Sequence, residues 1–278
     1  KTAYEIRLSL VGSEMCIRDR YITFIIKIRL EEYRRDAKRG TLKLERGQII
    51  KNILNEINNL SLPSMKSVIN GTGIVLHTGL GRAPIKESVA KDVVKRVSGY
   101  TNLEFNINSG KRGQRQDHID FLLSALTGAQ SAMCVNNNAA AVILTLNELA
   151  EGKEVIVSRG QQVEIGGSFR IPEVIKKSGC KIKEVGSTNR THLKDYEKAI
   201  NKNTGVILWV HTSNYVVKGF TSEVPLSDLV KLGKKKRVPV MADLGCGALV
   251  DLSNKDVFID MFVKDVVKSG VSLSLIHI

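Results

Sequence analysis

The spacing of hydrophobic positions changes along the chain, and this change predicts two regions. Over residues 30–60, apolar residues recur every three or four positions among many charged ones, which predicts helices with a break at Gly40. After Pro63, short β-rich apolar runs alternate with helical patterns instead. We therefore predict a helical lead-in over residues 21–62 and a larger domain over residues 63–271.

Short apolar runs with the content of buried strands recur through the larger region, and helical patterns separate them. The predicted strands span residues 132–135, 154–157, 181–185, 206–210 and 238–242. The predicted helices span residues 115–127, 138–150, 172–178, 192–200 and 226–236. This alternation is typical of an α/β fold with a mostly parallel sheet and helices on both faces. Ligands of such sheets bind beyond the carboxyl ends of the strands.

The ends of two predicted strands contain the first candidates for chemistry. Asn136, Asn137 and Asn138 open an Ala-rich helix, whose N-terminal N–H groups can hold a phosphate, although a plain helix cap is the alternative. Asp243 directly follows a strand and lies beside glycines, so its carboxylate suits the protonated pyridine nitrogen of pyridoxal 5'-phosphate (PLP). A metal ligand or a helix cap explains this aspartate equally well.

Two other strand ends add polar side chains to the same predicted crevice. Ser213 and Asn214 belong to a polar segment that follows the strand over residues 206–210. Arg159 and Gln162 follow an earlier strand, and their side chains can cover a planar ring. Hydrogen bonding within the loops is the alternative for each pair, but the convergence of four strand ends is more informative than any one of them.

Two glycine-rich segments contain cations that suit an anion. Residues 70–82 end at Arg82 and contain neither the Gly-Lys-[Ser/Thr] of a P-loop nor a dinucleotide fingerprint. A second segment places Lys111, Arg112 and Arg115 in a loop before a helix, where a solvated loop is the alternative. Both segments are therefore candidate anion sites.

Composition adds charge and compartment to this picture. The 278 residues include 42 Lys and Arg against 28 Asp and Glu, and the net charge of +14 suits anionic partners. The apolar stretch at 21–26 is far shorter than the roughly 20 residues of a membrane span. Widely spaced cysteines and histidines indicate reduced thiols, a cytoplasmic protein and no metal site. The basic run at 234–237 is interpreted as a solvated helix end and not as a tRNA contact.

Both ends of the chain resemble translated sequencing-adaptor sequence. Residues 1–20 lack the pattern of a signal peptide and show no sustained period, and residues 272–278 are similar in character. We interpret both segments as artefacts and exclude them from the fold prediction. On this interpretation the chain is a truncated part of a longer protein.

Four motifs occur in the order expected for one enzyme family. They are Asn-Gly-Thr-Gly through Gly-Arg-Ala-Pro at 70–84, the Asn-rich run at 136–141, Ser-Arg-Gly-Gln-Gln through Ser-Phe-Arg at 158–170, and Ala-Asp-Leu-Gly at 242–245. Together they resemble the bacterial selenocysteine synthases, the L-seryl-tRNA(Sec) selenium transferases. This resemblance implies a truncated large domain of a fold type I PLP-dependent transferase. It also implies conversion of L-seryl-tRNA(Sec) to selenocysteinyl-tRNA(Sec) with selenophosphate, and assembly into a ring-like homodecamer without membrane or DNA partners.

The resemblance also implies roles for particular residues. The cofactor would be bound by Asp243 at the ring nitrogen, by Asn136, Asn137 and Asn138 at the phosphate, and by Ser213 and Asn214 at the ring hydroxyl. Arg82 would bind selenophosphate, with Lys111, Arg112 and Arg115 as further candidates. The family's Schiff-base lysine follows a strand that begins near Val271, and no lysine here matches its motif, because Lys264 and Lys268 precede that strand. We therefore expect this chain to be inactive by itself.

Two alternative functions remain open from the sequence. The first is a related fold type I PLP lyase or transferase that acts on a free amino acid or an amino sugar. The second is a basic, non-catalytic tRNA-binding protein. The second alternative is disfavoured because the cations are dispersed among glycine-rich loops and the aromatic content is only 5%.

Overall fold

The computed structural model describes residues 14–166, 169–250 and 261–277, and the chain divides into two compact units, Lys1–Pro84 and Ile85–Ile278. The first unit contains helices α1 (Glu14–Lys38) and α2 (Arg46–Ser61), followed by a 3-10 helix at Thr78–Leu80. The predicted break is confirmed, because Gly40 has a φ of +68° in the turn between the two helices. Helix α1 begins within the segment 1–20 that we interpreted as an artefact, and that interpretation stays a prediction.

Helices α1 and α2 contact each other through a charged cluster, and each contains one buried isoleucine. Ile25 and Ile53 are buried, at 6% and 7% exposure. The guanidinium of Arg29 donates to both carboxylate oxygens of Glu56 on the other helix and to Glu32 on its own helix. The helical lead-in is thus a two-helix hairpin.

The second unit alternates strands and helices as the sequence predicts. Its helices are α3 (Glu87–Val97), α4 (Asp120–Thr127), α5 (Asn138–Ala150), α6 (Ile171–Lys177), α7 (Leu193–Ala199), α8 (Leu226–Lys236) and α9 (Val263–Lys268). Its strands are β1 (Phe105–Asn106), β2 (Lys111–Arg112), β3 (Glu154–Ser158), β4 (Glu164–Ile165), β5 (Phe169–Arg170), β6 (Lys181–Val185), β7 (Thr204–Val210), β8 (Val240–Cys246) and β9 (Leu273–His277). Strands β1 and β2 form one antiparallel pair, and β4 and β5 form another.

The remaining five strands form one parallel sheet in the order β6-β3-β7-β8-β9. Side chains alternate between its two faces. Leu208 and Val210 of β7 pack with α5 and α6, whereas Ile207 and Trp209 pack with α7, α8 and α9. The predicted α/β fold, with a parallel sheet covered on both faces, is confirmed.

The strand predicted over residues 132–135 is wrong. A strand needs a ladder partner, and in the described part of the chain no strand pairs with this segment. The side chain of Gln116 takes that place, because its Nε2 donates to the carbonyl of Cys134 and its Oε1 accepts from the Cys134 N–H, at 3.3 and 3.1 Å. A side-chain amide thus satisfies the backbone that a neighbouring strand would otherwise pair.

The last predicted strand, 238–242, is shifted by several residues. Strand β8 begins at Val240, after Pro239, which has no N–H to donate to a ladder. It continues to Cys246, so Asp243 lies inside the strand and not just after it. Beyond it, α9 leads into β9, which lies within the segment 272–278 that we set aside as an artefact. Among the described residues, no helix is both long and apolar enough to cross a membrane.

Candidate functional site

Asp243 lies at the centre of the candidate site, where β8 approaches its carboxyl end. Its side chain is only 2% exposed and lies on the sheet face that packs against α5. Oδ1 of Asp243 accepts two hydrogen bonds of 3.0 Å, one from Asn138 Nδ2 and one from the backbone N–H of Gly245. The sheet and the first turn of α5 therefore hold this carboxylate together.

Burial raises the pKa of Asp243, because the charged form loses water, while the donors from Asn138 and Gly245 lower it by a smaller amount. Both donors are neutral. A buried carboxylate in such surroundings is stabilised by a cationic N–H group, which restores both a hydrogen bond and an opposite charge. The position is thus suited to a protonated ring nitrogen.

The N-terminus of α5 lies beside Asp243. Asn137 caps this helix, since its Oδ1 accepts from the N–H of Ala140 at 2.9 Å, and Asn136 precedes it with an exposed side chain. The predicted helix start is therefore confirmed. Asn137 Oδ1 is bonded to the Ala140 N–H and Asn138 Nδ2 to Asp243, and the predicted phosphate contact of Asn136, Asn137 and Asn138 stays a prediction.

The loop after β7 also reaches this site. His211 donates its backbone N–H to the carbonyl oxygen of Asp243 at 2.9 Å. Two residues on, Ser213 lies near Gly245, where an added methyl group would be 3.6 Å from Ser213 Oγ. Asn214 donates its side-chain amide to the carbonyl of Glu164 at 2.9 Å. The structure thus brings Ser213 close to Gly245, whose N–H bonds to Asp243, and it joins Asn214 to β4.

Gln161 belongs to this site but was not among the residues predicted from the sequence. It lies in a 3-10 helix after β3, is 5% exposed, and its Oε1 accepts from the Val210 N–H at 3.3 Å. Tyr215 donates its hydroxyl to the carbonyl of Gly160 at 2.5 Å. The loops after β3 and β7 are therefore linked. A glutamine at the end of a strand was the only sequence signal for this role, and it does not distinguish Gln161 from Gln162.

Arg159 and Gln162 lie on the other side of the same loop. Arg159 Nε and Gln162 Nε2 donate to the two carboxylate oxygens of Glu184 on β6, at 3.3 and 2.8 Å. In the sheet order, β6 lies beside β3 on the side away from β8, which contains Asp243. The structure therefore does not bring these two side chains to Asp243, and their predicted contact with a planar ring stays a prediction.

Two of the three cations predicted for one anion site share a carboxylate. Glu104 accepts from Arg115 Nε at 2.6 Å and from Arg112 Nη2 at 2.7 Å. The Arg115 hydrogen bond, aided by the charges of both arginines, lowers the pKa of Glu104. Lys111 precedes Arg112 in β2, with an exposed side chain. The three cations thus lie on one exposed hairpin region that Glu104 holds together.

Arg82 lies in the first unit, directly after the 3-10 helix. Its φ of 63° is a left-handed conformation that few residues other than glycine adopt, and its N–H donates to the carbonyl of His77 at 3.1 Å. Gly81 before it also has a positive φ. This tight turn fixes the backbone of Arg82, whose role as an anion ligand stays a prediction.

The sequence also predicts that the chain contains neither a metal site nor the Schiff-base lysine. Within residues 14–166, 169–250 and 261–277, no three His, Cys, Asp or Glu side chains group together as a metal site would require. Lys264 and Lys268 are exposed and lie on α9, before β9. Both lysines therefore have the helical position that the sequence predicts.

The residues present fit a pyridine-ring cofactor with a phosphate. Asn138 Oδ1 is buried and has no hydrogen-bond partner among the described residues, and Asp243 is buried without a cation bonded to its carboxylate. A ligand with a ring N–H satisfies the carboxylate, and the capped N-terminus of α5 suits a phosphate. PLP has both groups.

Comparison with known proteins agrees with this geometry. The family model SelA, L-seryl-tRNA selenium transferase, matches residues 68–276. The chain is 49% identical over 262 residues to the L-seryl-tRNA(Sec) selenium transferase of Carboxydothermus hydrogenoformans, covering 92% of this chain and 56% of that protein. It is 48% identical over 244 residues to the enzyme of that name from Aquifex aeolicus, covering 87% of this chain and 54% of the relative.

A solved structure shares the fold at lower identity. The structure of D-glucosaminate-6-phosphate ammonia-lyase matches with a TM-score of 0.57 and 20% identity, covering 72% of this chain and 51% of that one. The chain spans about half the length of the curated relatives it matches. The family match does not favour a lyase or transferase that acts on a free amino acid or an amino sugar. It does not favour a non-catalytic tRNA-binding protein either. Because the family model covers most of the chain and the motifs occur in order, this chain belongs to the L-seryl-tRNA selenium transferase family.

Proposed function

We propose that this chain is part of an enzyme that converts L-seryl-tRNA(Sec) to L-selenocysteinyl-tRNA(Sec) with selenophosphate and PLP. The single observation that supports this most is the buried pair of Asp243 and Asn138, within the region that matches the family. When bound, PLP withdraws electrons from the substrate, which permits loss of the α-proton and β-hydroxyl of serine before selenium adds.

The residues of the sheet and of α5 would bind and orient the cofactor. Asp243 would hold the proton on the ring nitrogen, since its carboxylate is buried and its two donors, Asn138 Nδ2 and the Gly245 N–H, are neutral. The N-terminus of α5 binds the phosphate through backbone N–H groups. Ser213 lies near Gly245 and is our candidate donor to the ring hydroxyl. The hydrogen bond from Tyr215 to Gly160 would restrict the movement of the loops after β3 and β7.

The cations would bind the anionic substrates. We assign selenophosphate to Arg82, with Lys111, Arg112 and Arg115 as further candidates, because a guanidinium binds phosphate-like oxygens in a bidentate manner. The net charge of +14 also favours a tRNA substrate, whose phosphates supply the complementary charge. A tRNA-borne substrate implies a cytoplasmic enzyme.

Self-association is part of this proposal. Helix α4 exposes large apolar side chains, with Phe121, Leu122 and Leu126 at 79%, 60% and 46% exposure. Contiguous exposed apolar surface favours contact with another protein surface. We propose a homo-oligomer, and a ring-like decamer in particular, as the family resemblance implies. Light scattering after size exclusion measures the mass, and a monomer at all concentrations contradicts self-association of this chain.

The cofactor proposal is tested by titrating the chain with PLP and following its absorbance. We expect non-covalent binding that Asp243→Asn weakens about 10- to 100-fold, as loss of a hydrogen bond to a charged group does. Asp228→Asn is the matched control, because Asp228 is a partly exposed carboxylate on α8. A PLP adduct that borohydride reduces at a single lysine within residues 21–271 would contradict the absence of the Schiff-base lysine.

The substrate proposal is tested on the longer protein that contains this chain. Incubation with seryl-tRNA(Sec) and selenophosphate should give selenocysteinyl-tRNA, detected by mass spectrometry of the released amino acid. Turnover of free serine without tRNA would support the alternative lyase. Salt-sensitive tRNA binding that is unchanged in Asp243→Asn, without any conversion, would support the non-catalytic alternative.

A further inference from the structure

Asn138 and Asp243 are 105 residues apart in sequence, yet their side chains meet in the core of the site. Asn138 is the first residue of α5, where a side chain projects beyond the end of the helix. Its Nδ2 lies 3.0 Å from Asp243 Oδ1. An asparagine at this position is normally explained by capping, but Asn137 already caps α5. The Asn138 side chain is therefore available for another role.

Both donors that Asp243 receives end on the same oxygen. The N–H of Gly245 also donates to Oδ1 at 3.0 Å, from a residue whose φ of +59° turns the backbone back toward the carboxylate. Two donors from different directions fix the rotation of a carboxylate group. In the described residues neither of these bonds involves Oδ2, so the two oxygens have different surroundings.

We propose that Asn138 is a positioning residue that fixes the Asp243 carboxylate through Oδ1 and thereby directs Oδ2 to the ring nitrogen of the cofactor. This inference rests on the proposed PLP site and adds a role that differs from the predicted phosphate contact of Asn138. Asn138 does not react with substrate. Its effect on the ring nitrogen passes only through Asp243.

The chemistry of an amide explains why asparagine suits this position. A lysine or arginine there would neutralise Asp243 and compete with the protonated ring for its charge. A leucine would leave Oδ1 with one donor and free to rotate. An amide donates a hydrogen bond without a net charge, so the full negative charge of Asp243 stays available to the ring. Asn138 Oδ1, which is buried and unpartnered among the described residues, is left to accept from a bound ligand.

The test compares PLP with its 1-deaza analogue, in which a C–H replaces the ring nitrogen. We expect Asn138→Ala to weaken PLP binding about tenfold and binding of the analogue less than twofold, because only PLP presents an N–H to Oδ2. Asn147→Ala is the matched control. Asn147 lies on the same helix and donates its amide to the carbonyl of Ser178 at 3.2 Å, so its loss should change neither affinity. Equal weakening of both ligands, or of neither, overturns the proposal.

A second measurement keeps this inference separate from the PLP proposal. Carbon NMR of the ligand-free chain follows the titration of the Asp243 carboxyl. The Asn138 donor lowers the pKa of Asp243, so Asn138→Ala should raise it further and Asn147→Ala should not. If no variant binds PLP but this shift occurs, the cofactor proposal fails, and only the hold of Asn138 on the Asp243 carboxylate is supported. If the Asp243 titration is unchanged, the role is wrong. Asn138→Ser replaces Asn138→Ala should the latter not fold.

Discussion

Gln161 and Val210 join two neighbouring loops of the site, because the side-chain oxygen of Gln161 accepts the backbone N–H of Val210 at 3.3 Å. Both residues are buried, at 5% and 2% exposure. If this acceptor is removed, the buried Val210 N–H cannot bond to water in its place. Gln161 thus satisfies the end of β7 from the loop that follows β3.

Replacing Gln161 with leucine should lower the free energy of unfolding by about 1–3 kcal/mol, because it leaves the buried Val210 N–H without an acceptor. Urea denaturation measures the change. Gln130→Leu, at an exposed position, should change stability by less than about 0.5 kcal/mol. Equal stability of the Gln161→Leu variant and the unmodified chain would show that the bond contributes nothing.

Replacing Asp243 with asparagine should change how the stability of the ligand-free chain depends on pH. The pKa of Asp243 is raised by burial, so between its unfolded and folded pKa values the folded state binds more protons. Stability therefore falls as pH rises through this window. Asp243→Asn removes that dependence and should be more stable than the unmodified chain at neutral pH.

Urea unfolding at acidic and at neutral pH measures this difference. Asp228→Asn is the control, because Asp228 is partly exposed and pairs with Lys231 at 3.0 Å. A difference between Asp243→Asn and the unmodified chain that stays constant with pH would mean that Asp243 titrates alike in both states.

Gly233 lies on α8 where the helix meets the start of β8. A methyl group there would approach Val240 Cγ2 to 2.5 Å and the carbonyl oxygen of Val238 to 2.7 Å. Gly233→Ala should therefore destabilise the chain by about 1–3 kcal/mol through overpacking. At Gly47 on α2 nothing lies within 4 Å, so Gly47→Ala should stabilise the chain by up to about 1 kcal/mol. Thermal unfolding of the two variants should show shifts of opposite sign.

Glu104 pairs with Arg112 and Arg115, two of the cations that we propose bind an anion. Glu104→Gln removes the shared carboxylate, and we expect the affinity for inorganic phosphate to rise about threefold. Calorimetric titration of the chain with phosphate measures it. Glu87→Gln is the control, because Glu87 pairs with Lys91 on exposed helix α3. Unchanged phosphate affinity would remove this hairpin from the candidate anion sites.

The pH dependence of the same cluster has a definite sign. The pKa of Glu104 is lowered, chiefly by its hydrogen bond with Arg115. The ion pairs therefore stabilise the hairpin above the ordinary pKa of a glutamate and are lost as pH falls through the lowered value. Exposure of Glu104 and screening by salt reduce this effect, so it should be largest at low ionic strength.

Local patterns predicted much of the fold. Helix α5 has the predicted bounds because an asparagine cap, an Ala-rich first turn and a following glycine all act within the segment. Strand β7 is buried on both faces, and its continuous apolar run made it recognisable. The segment 132–135 has the composition of a strand, but strand formation depends on a partner elsewhere, and Gln116 occupies that backbone instead.

The site was predictable only at the level of which loops contribute to it. Asp243 and Ser213 follow from the rule that strand ends gather in a parallel sheet, whereas the start of α5 follows from its asparagine cap. The bond from Asn138 to Asp243 depends on where a helix end lies against a strand distant in sequence, which no local spacing encodes. The direction of neighbouring side chains is equally non-local, since Gln161 points toward β7 and Gln162 toward β6.

Trp209, whose ring contacts that of His211, provides a fluorescence signal at the carboxyl end of β7. Trp209 is the single tryptophan of the chain, and its indole stacks on the His211 imidazole with centroids 5.9 Å apart. The backbone of His211 is bonded in turn to Asp243. Indole fluorescence therefore comes from one known position beside the candidate site. Ligand occupancy and unfolding can both be followed there without introducing a label.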